Sequence, residues 1–158
     1  IKQISDEFQR TVPKVYTGIK ILDFILEQKR VVAQKSGIRY EIDTMLLTGI
    51  PTTEQETCAL FGNLLDNAIE ACCLVETEEK WIKIQIKQIN QLLSIELLNT
   101  FEMPCIRKQG VFETIKEERG VHGYGIKSMQ RIVDKHQGLI TYEEKEKIFI
   151  TKITFFNV

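Results

Sequence analysis

The chain has 158 residues, 43% of them hydrophobic, with 21 basic and 22 acidic side chains and a formal charge of −1. A length of this order suits one domain, with room at most for a small appendage, that buries about two-thirds of its unfolded surface. The even charge balance gives no support to a nucleic-acid or polybasic membrane surface, and no apolar run approaches the ~20 residues of a membrane span.

The chain opens IKQISDEF, without an initiator Met or a basic-then-apolar leader, as an excised piece of a longer protein would. Residues 1–36 carry helical periodicity but no compact core of their own. Val15, Ile19, Leu22, Ile25 and Leu26 fall near one stripe, which Val32 extends. Pro13 and Gly18 weaken its first half, so the spacing predicts a helix over 17–36 that Gly37 ends. Ile38, Tyr40 and Ile42 alternate with Arg39, Glu41 and Asp43, the pattern of a short strand. Thr53 followed by Glu56 is a capping box and opens a helix over 54–74. Trp81 to Ile89 and Leu92 to Leu98 read as two strands of a hairpin turned at Asn90–Gln91. Residues 100–121 have no clean period, and long irregular segments of this kind are often mobile binding loops. A helix returns over 126–136, ended by Gly138, and strands over 139–143 and 148–156 close the chain. Helices on one face of a mostly antiparallel mixed sheet bury both apolar surfaces, giving an α/β fold that is a two-layer sandwich.

Cys58, Cys72, Cys73 and Cys105 form no CxxC, and with two histidines in the chain there is no zinc spacing. Cys58, Cys72 and Cys105 read as small core or boundary residues of a reducing compartment, and Cys73 as half exposed.

Chemistry concentrates in two places. Asn63, Asn67 and Glu70 lie at i, i+4 and i+7 on one face of the 54–74 helix, beside Leu60, Leu64, Ala68 and Cys72. A buried amide needs partners. Either both asparagines bond nearby backbone, or one amide oxygen faces a divalent ion. Mg²⁺ takes hard oxygen ligands and keeps much of its water, so a triphosphate would have to bring most of the ligation. The second place is His122-Gly123-Tyr124-Gly125 ahead of a helix N-terminus, where free N–H groups suit an anion. It is neither a P-loop nor a Rossmann fingerprint. Lys108, Lys116, Arg119 and Lys127 are near enough to add positive charge, with Lys116 and Arg119 preferred because both lie in 100–121. His122 orders the loop or contacts phosphate, with an acid–base role as the lesser alternative, and His136 at a helix C-terminus satisfies a terminal carbonyl.

With these motifs the chain resembles a known family. NLLDNAIEA is similar to the N box, and HGYGIKS to the second glycine box, of the Bergerat/GHKL ATP-binding fold of histidine kinases, gyrase and MutL. The pairing resembles AgrC-type quorum-sensing kinases most, with Gly138 where those carry a glycine after the next helix. TGIKILDFILEQKRVVAQKSGI looks like their link from dimerisation helices into the catalytic domain. The resemblance covers residues 14–158 and implies a division into 1–36, a remnant of the dimerisation-helix and linker region, and 37–158, the ATP-binding catalytic domain.

It further implies ATP and Mg²⁺ as cofactors, with Asn67 the magnesium ligand and Asn63 near the phosphates. Gly123 and Gly125 give backbone contacts to the triphosphate, with His122 and Tyr124 beside them. Thr114 and Lys116 resemble a TTK segment before the second box. Gyrase-like ATPases carry a water-activating glutamate at the position of Asn63, and an amide cannot take that proton. The implied activity is therefore phosphoryl transfer to a histidine rather than hydrolysis. The first glycine box is absent. Asn99 in LLNTFEMPCI stands where its aspartate would contact adenine. No histidine precedes position 122, so the phosphoacceptor helix is expected upstream of this piece or absent from the protein. So short a helix does not assure pairing through Leu22 and Ile25.

The implied setting is the cytoplasmic part of a membrane-anchored bacterial protein, a homodimer at full length, that works with its own phosphoacceptor domain and a response regulator. A non-catalytic interaction module and an anti-sigma-type serine kinase are the alternatives on the same fold.

Overall fold

The computed structural model describes residues 14–76, 79–102 and 123–158, and the backbone of 106–108 and 111–113. In chain order the elements are α1 (Lys20–Lys35), β1 (Arg39–Thr44), α2 (Glu54–Cys73), β2 (Trp81–Ile89) and β3 (Leu92–Thr100), then β4 (Ile106–Lys108), β5 (Val111–Glu113), α3 (Gly123–Lys135), β6 (Leu139–Lys145) and β7 (Ile148–Phe156).

Five strands form one sheet in the order β1-β2-β3-β7-β6. β1 runs parallel to β2, and every other pairing is antiparallel. A parallel pair needs a crossover, which α2 supplies. Along β2 burial alternates, with Ile82, Ile84 and Ile86 on the inner face. They join Leu93, Ile95 and Leu97 of β3 and Ile153 and Phe155 of β7. Leu22 and Leu26 of α1, Leu60, Phe61, Leu64 and Leu65 of α2, and Met129, Ile132 and Val133 of α3 complete the same core. The fold is thus the predicted mixed, mostly antiparallel two-layer sandwich with its helices on one face. The other face carries cross-strand ion pairs, Lys83–Glu41 at 2.9 Å and Lys152–Glu96 at 3.6 Å, each worth at most about 1 kcal/mol.

α1 starts later than its periodicity predicts. The buried Asp23 carboxylate accepts hydrogen bonds from Thr17 N (2.7 Å), Thr17 Oγ1 (2.6 Å) and Gly18 N (3.1 Å). Those bonds, with Gly18 at φ +82°, make 17–19 a turn folded onto the helix. Leu47 N donates to Thr17 O at 2.8 Å, and Thr44 Oγ1 to Tyr16 O at 2.9 Å, stitching the same turn to the end of β1 and the loop after it. Val15 and Val32, expected on the apolar stripe, are exposed. Leu22, Leu26 and Ala33 are fully buried in the shared core, so packing runs unbroken across the expected division at 36/37. Leu22 and Ile25 both face that core.

Gly37 (φ +71°) ends α1 as predicted. Its N–H bonds Gln34 O and that of Ile38 bonds Ala33 O, both at 3.0 Å, the two bonds of a Schellman ending. The capping box of α2 forms in full: Thr53 Oγ1 accepts from Glu56 N at 3.2 Å, and the Glu56 carboxylate from Thr53 N at 3.0 Å. Asn90 takes a left-handed φ of 54° in the β2–β3 turn. β3 runs to Thr100, past the predicted end at 98, and Thr100 O lies 3.4 Å from Cys72 Sγ.

Cys58 is exposed, contrary to expectation, because it lies on the solvent side of α2, whereas Cys72 is buried and Cys73 exposed; Cys105 lies outside the described residues. Within 100–121, read as irregular, β4 and β5 pair antiparallel with Arg107 opposite Phe112. α3 begins at Gly123, earlier than predicted, so Gly123-Tyr124-Gly125 is its first turn rather than a loop before it. At its other end the left-handed residue is Gln137 (φ 54°), not Gly138. Gly138 is required for closeness instead, since a Cβ there would lie 2.8 Å from Thr154 O and 2.9 Å from Phe155 Cδ1.

Candidate functional site

α2 presents one stripe at i, i+4, i+7 and i+11: Glu56, Leu60, Asn63 and Asn67. Leu60 is fully buried, and it and its neighbours seat the helix on the sheet. Asn63 and Asn67 are half-buried at the margin of that contact. Neither amide makes a side-chain hydrogen bond to another described residue, although local backbone bonding was one of the two readings of the sequence. Glu70 is half-buried on the same face and is engaged.

The structure brings the two sequence motifs together. A Cβ on Gly125 would lie 3.2 Å from Asn63 Oδ1 and 3.5 Å from Asn63 Cγ, so the first turn of α3 abuts the asparagine helix. Gly123 has nothing within 4 Å of its Cβ position, and the Tyr124 side chain is 77% exposed. The free N–H groups of this first turn, with the positive end of the helix dipole, suit an anion beside Asn63.

Asn99 is the more buried of the predicted contacts, 2% exposed on the helix-covered face of β3 beyond Leu97. Its Nδ2 donates to Thr100 O at 3.0 Å, which orients the amide. Lys127 is exposed on α3. Thr114, Lys116, Arg119 and His122 lie outside the described residues, as does the side chain of Lys108. No group of three His, Cys, Asp or Glu side chains able to hold a metal occurs among the described residues. The half-buried Asn67 amide offers one neutral oxygen, which fits Mg²⁺ only when phosphate oxygens share the ligation.

His136 does not cap a carbonyl. Its Nε2 lies 2.8 Å from Glu56 Oε2, and Lys135 Nζ lies 2.6 Å from Glu56 Oε1. The Lys135 ammonium, then the Thr53 N–H and the His136 ring, hold the Glu56 carboxyl down at about 2. The sequence reading missed this cluster. Its one signal was the capping box, which fixed Glu56 at the start of α2 without showing what its second oxygen meets.

Comparison with known proteins gives three findings. The family described as "GHKL domain" matches residues 53–156. Among curated proteins, a probable C4-dicarboxylate sensor kinase of Bacillus subtilis (strain 168) is 30% identical over 93 residues, 55% of this chain and 17% of that protein. The chain therefore spans a small part of that relative. A Holliday junction branch migration complex subunit RuvA of Thermodesulfovibrio yellowstonii is 25% identical over 138 residues, 80% of this chain and 73% of its own. The family match falls on the two motifs and sides with the kinase. Among solved structures, the catalytic domain of histidine kinase ThkA in a nucleotide-free form superposes with a TM-score of 0.68 at 20% identity, over 90% of this chain and 95% of that one. At that identity it shows the fold.

Proposed function

The chain belongs to the GHKL domain family, and on that premise we propose that it is the ATP-binding catalytic unit of a two-component sensor histidine kinase. GHKL domains typically serve sensor histidine kinases and bind ATP with Mg²⁺. The observation that carries the assignment to this chain is the contact of Gly125 with Asn63, which joins the N box to the second glycine box at one point.

In this reading Asn67 offers its amide oxygen to Mg²⁺, and Asn63 lies along the phosphates. The N–H groups of Gly123 and Gly125 face the triphosphate, with Tyr124 and His122 flanking them and Lys116 and Arg119 adding positive charge. Asn99, whose Nδ2 donates to Thr100 O, offers Oδ1 as the acceptor for the adenine amino group in this reading. When bound, Mg²⁺ neutralises charge on the phosphate oxygens. The helix N–H groups stabilise charge that develops on the transferring phosphoryl. A histidine nitrogen of the phosphoacceptor helix forms the new bond to the γ-phosphorus as the bond to ADP breaks. Asn63 cannot act as a base toward water, which favours this transfer over hydrolysis.

The phosphoacceptor is the protein's own dimerisation domain, and a response-regulator aspartate receives the phosphoryl group next. No described helix is long and apolar enough to cross a membrane. We place the unit on the cytoplasmic side of a membrane-anchored homodimer. Residues 1–36 lead in from the dimerisation helices, with α1 already packed on the catalytic fold, and 37–158 carry the site. NLLDNAIEA, HGYGIKS and Asn99 favour the AgrC-type quorum-sensing class. The missing first glycine box favours a second reading, a non-catalytic module on the same fold.

Calorimetry with a non-hydrolysable ATP analogue, with and without Mg²⁺, tests the reading. Micromolar to sub-millimolar binding that Asn67→Ala abolishes is expected. Binding indifferent to Asn67→Ala would overturn the site, and no binding at millimolar nucleotide by folded protein would favour the module. Transfer to a supplied phosphoacceptor domain then gives an acid-labile product, whereas an anti-sigma-type serine kinase gives an acid-stable one.

A further inference from the structure

We infer that Glu56 is a positioning residue for the nucleotide site: by gripping Lys135 and His136 it fixes how α3 lies along α2, and so keeps Gly125 against Asn63. The inference rests on the reading of Asn63 and Gly125 as nucleotide-site residues.

α3 touches the Glu56–Asn63 stripe of α2 at both of its own ends. Gly125 in its first turn meets Asn63, and Lys135 with His136 at its end meets Glu56, two α2 turns earlier. The two helices therefore run antiparallel, and the 13 residues of α3 place its ends ~20 Å apart. Between them only apolar groups, Met129, Ile132 and Val133, enter the core. Apolar contact is non-directional, and by itself sets the register of a helix weakly. The polar contacts at the two ends supply that register.

Capping does not explain the geometry at Glu56. A capping box needs one carboxylate oxygen, and Oε2 alone meets Thr53 N. Oε1 reaches across to Lys135 at 2.6 Å, while Oε2 also lies 2.8 Å from His136 Nε2. The His136 ring is held in turn, edge-on to Phe155 with centroids 6.3 Å apart, and only 18% of its side chain is exposed. Charge reinforces the arrangement. Glu56 complements the positive end of α2 and Lys135 the negative end of α3, so each side chain suits its own helix as well as its partner. Releasing this end frees α3 to slide or roll on its apolar stripe, and the first-turn N–H groups shift with it.

The test uses Glu56→Gln, whose amide oxygen still closes the capping box, and His136→Ala. Lys152→Gln, which breaks an ion pair on the open sheet face, is the control for a structural loss of the same kind. Nuclear magnetic resonance follows the Asn63 side-chain amide and the Gly125 backbone amide, with the Asn90 side-chain amide as a remote reference. Calorimetry follows the ATP analogue with Mg²⁺. Both variants are expected to melt like the control, yet to move the Asn63 and Gly125 signals, leave Asn90 still, and weaken nucleotide binding about tenfold, the scale for groups that orient a ligand-bearing side chain. Unmoved Asn63 and Gly125 signals in either folded variant would overturn the inference, as would affinity that falls no further than in Lys152→Gln. If the unaltered protein binds no nucleotide, the functional reading fails, and the resonances still decide whether Glu56 positions α3.

Discussion

Gly125 sits so close to Asn63 that a side chain of even one carbon would lie 3.2 Å from Asn63 Oδ1. Gly123, two residues earlier, faces open space. The two glycines of the motif therefore do different work in the packing of α3. Gly125→Ala is expected to push Asn63 aside and lower affinity for the ATP analogue about ten- to a hundredfold, the scale for a displaced contact group. Gly123→Ala should leave stability unchanged or raise it by up to ~1 kcal/mol through helix propensity. Calorimetry and urea unfolding of both variants check the pair. Equal effects at the two glycines would contradict the contact.

The end of α3 makes a second asymmetric pair. Gly138→Ala would place a Cβ against the Thr154 carbonyl oxygen, a backbone atom that cannot step aside. It should cost about 1–3 kcal/mol as overpacking does. Gln137 holds a left-handed φ of 54° without being glycine, so Gln137→Gly should gain about 1 kcal/mol. Urea midpoints moving in opposite directions for neighbouring residues are the signature.

Acid should weaken the link between α1 and the turn before it. Tyr16 OH donates to Glu27 Oε2 at 2.6 Å, and Arg30 Nε donates to the same carboxylate at 2.8 Å. The Arg30 bond first, with the Tyr16 hydroxyl adding to it, holds Glu27 down at about 2 from an ordinary 4.5. A depressed carboxylate contributes stability that is complete above its unfolded value and lost as pH falls through the folded one. The difference in melting temperature between the unaltered protein and Glu27→Gln should therefore be constant above pH 4.5 and shrink between 4.5 and 2. A difference that grows with acid would refute the assignment.

α1 is expected to be indispensable. Leu26 is fully buried in the shared core, and Leu26→Ala should cost about 2–5 kcal/mol. A chain of residues 37–158 should fail to melt cooperatively. Cooperative melting of that shorter chain would support the division at 36/37 as a domain boundary.

Local chemistry was legible in the sequence wherever it acts over a few residues. Thr53 and Glu56 announced the start of α2, alternation announced β1, apolar runs about Asn90–Gln91 announced the β2–β3 hairpin, and Gly37 announced the end of α1. The same locality explains the errors. Periodicity shows that α1 has an apolar stripe, but not which core covers it, and Leu22 and Ile25 turn out to belong to the shared core. The Asp23 carboxylate outcompetes helix for the backbone of 17–18, and no periodic signal records that. At the site, Asn63 and Gly125 were each legible from residue type and setting, whereas their contact depends on how α3 lies on α2. The Glu56–His136 link spans 80 positions and leaves no trace in spacing.

The Asp23 turn has a mechanical corollary. Three short bonds tie 17–18 to the first turn of α1, and the bonds from Leu47 and Thr44 tie 16–17 to β1 and the loop that leads into the asparagine helix. A torque applied at Tyr16 would therefore reach both at once. Residues 16–18 meet the sheet-and-helix core as a welded handle rather than as a tether.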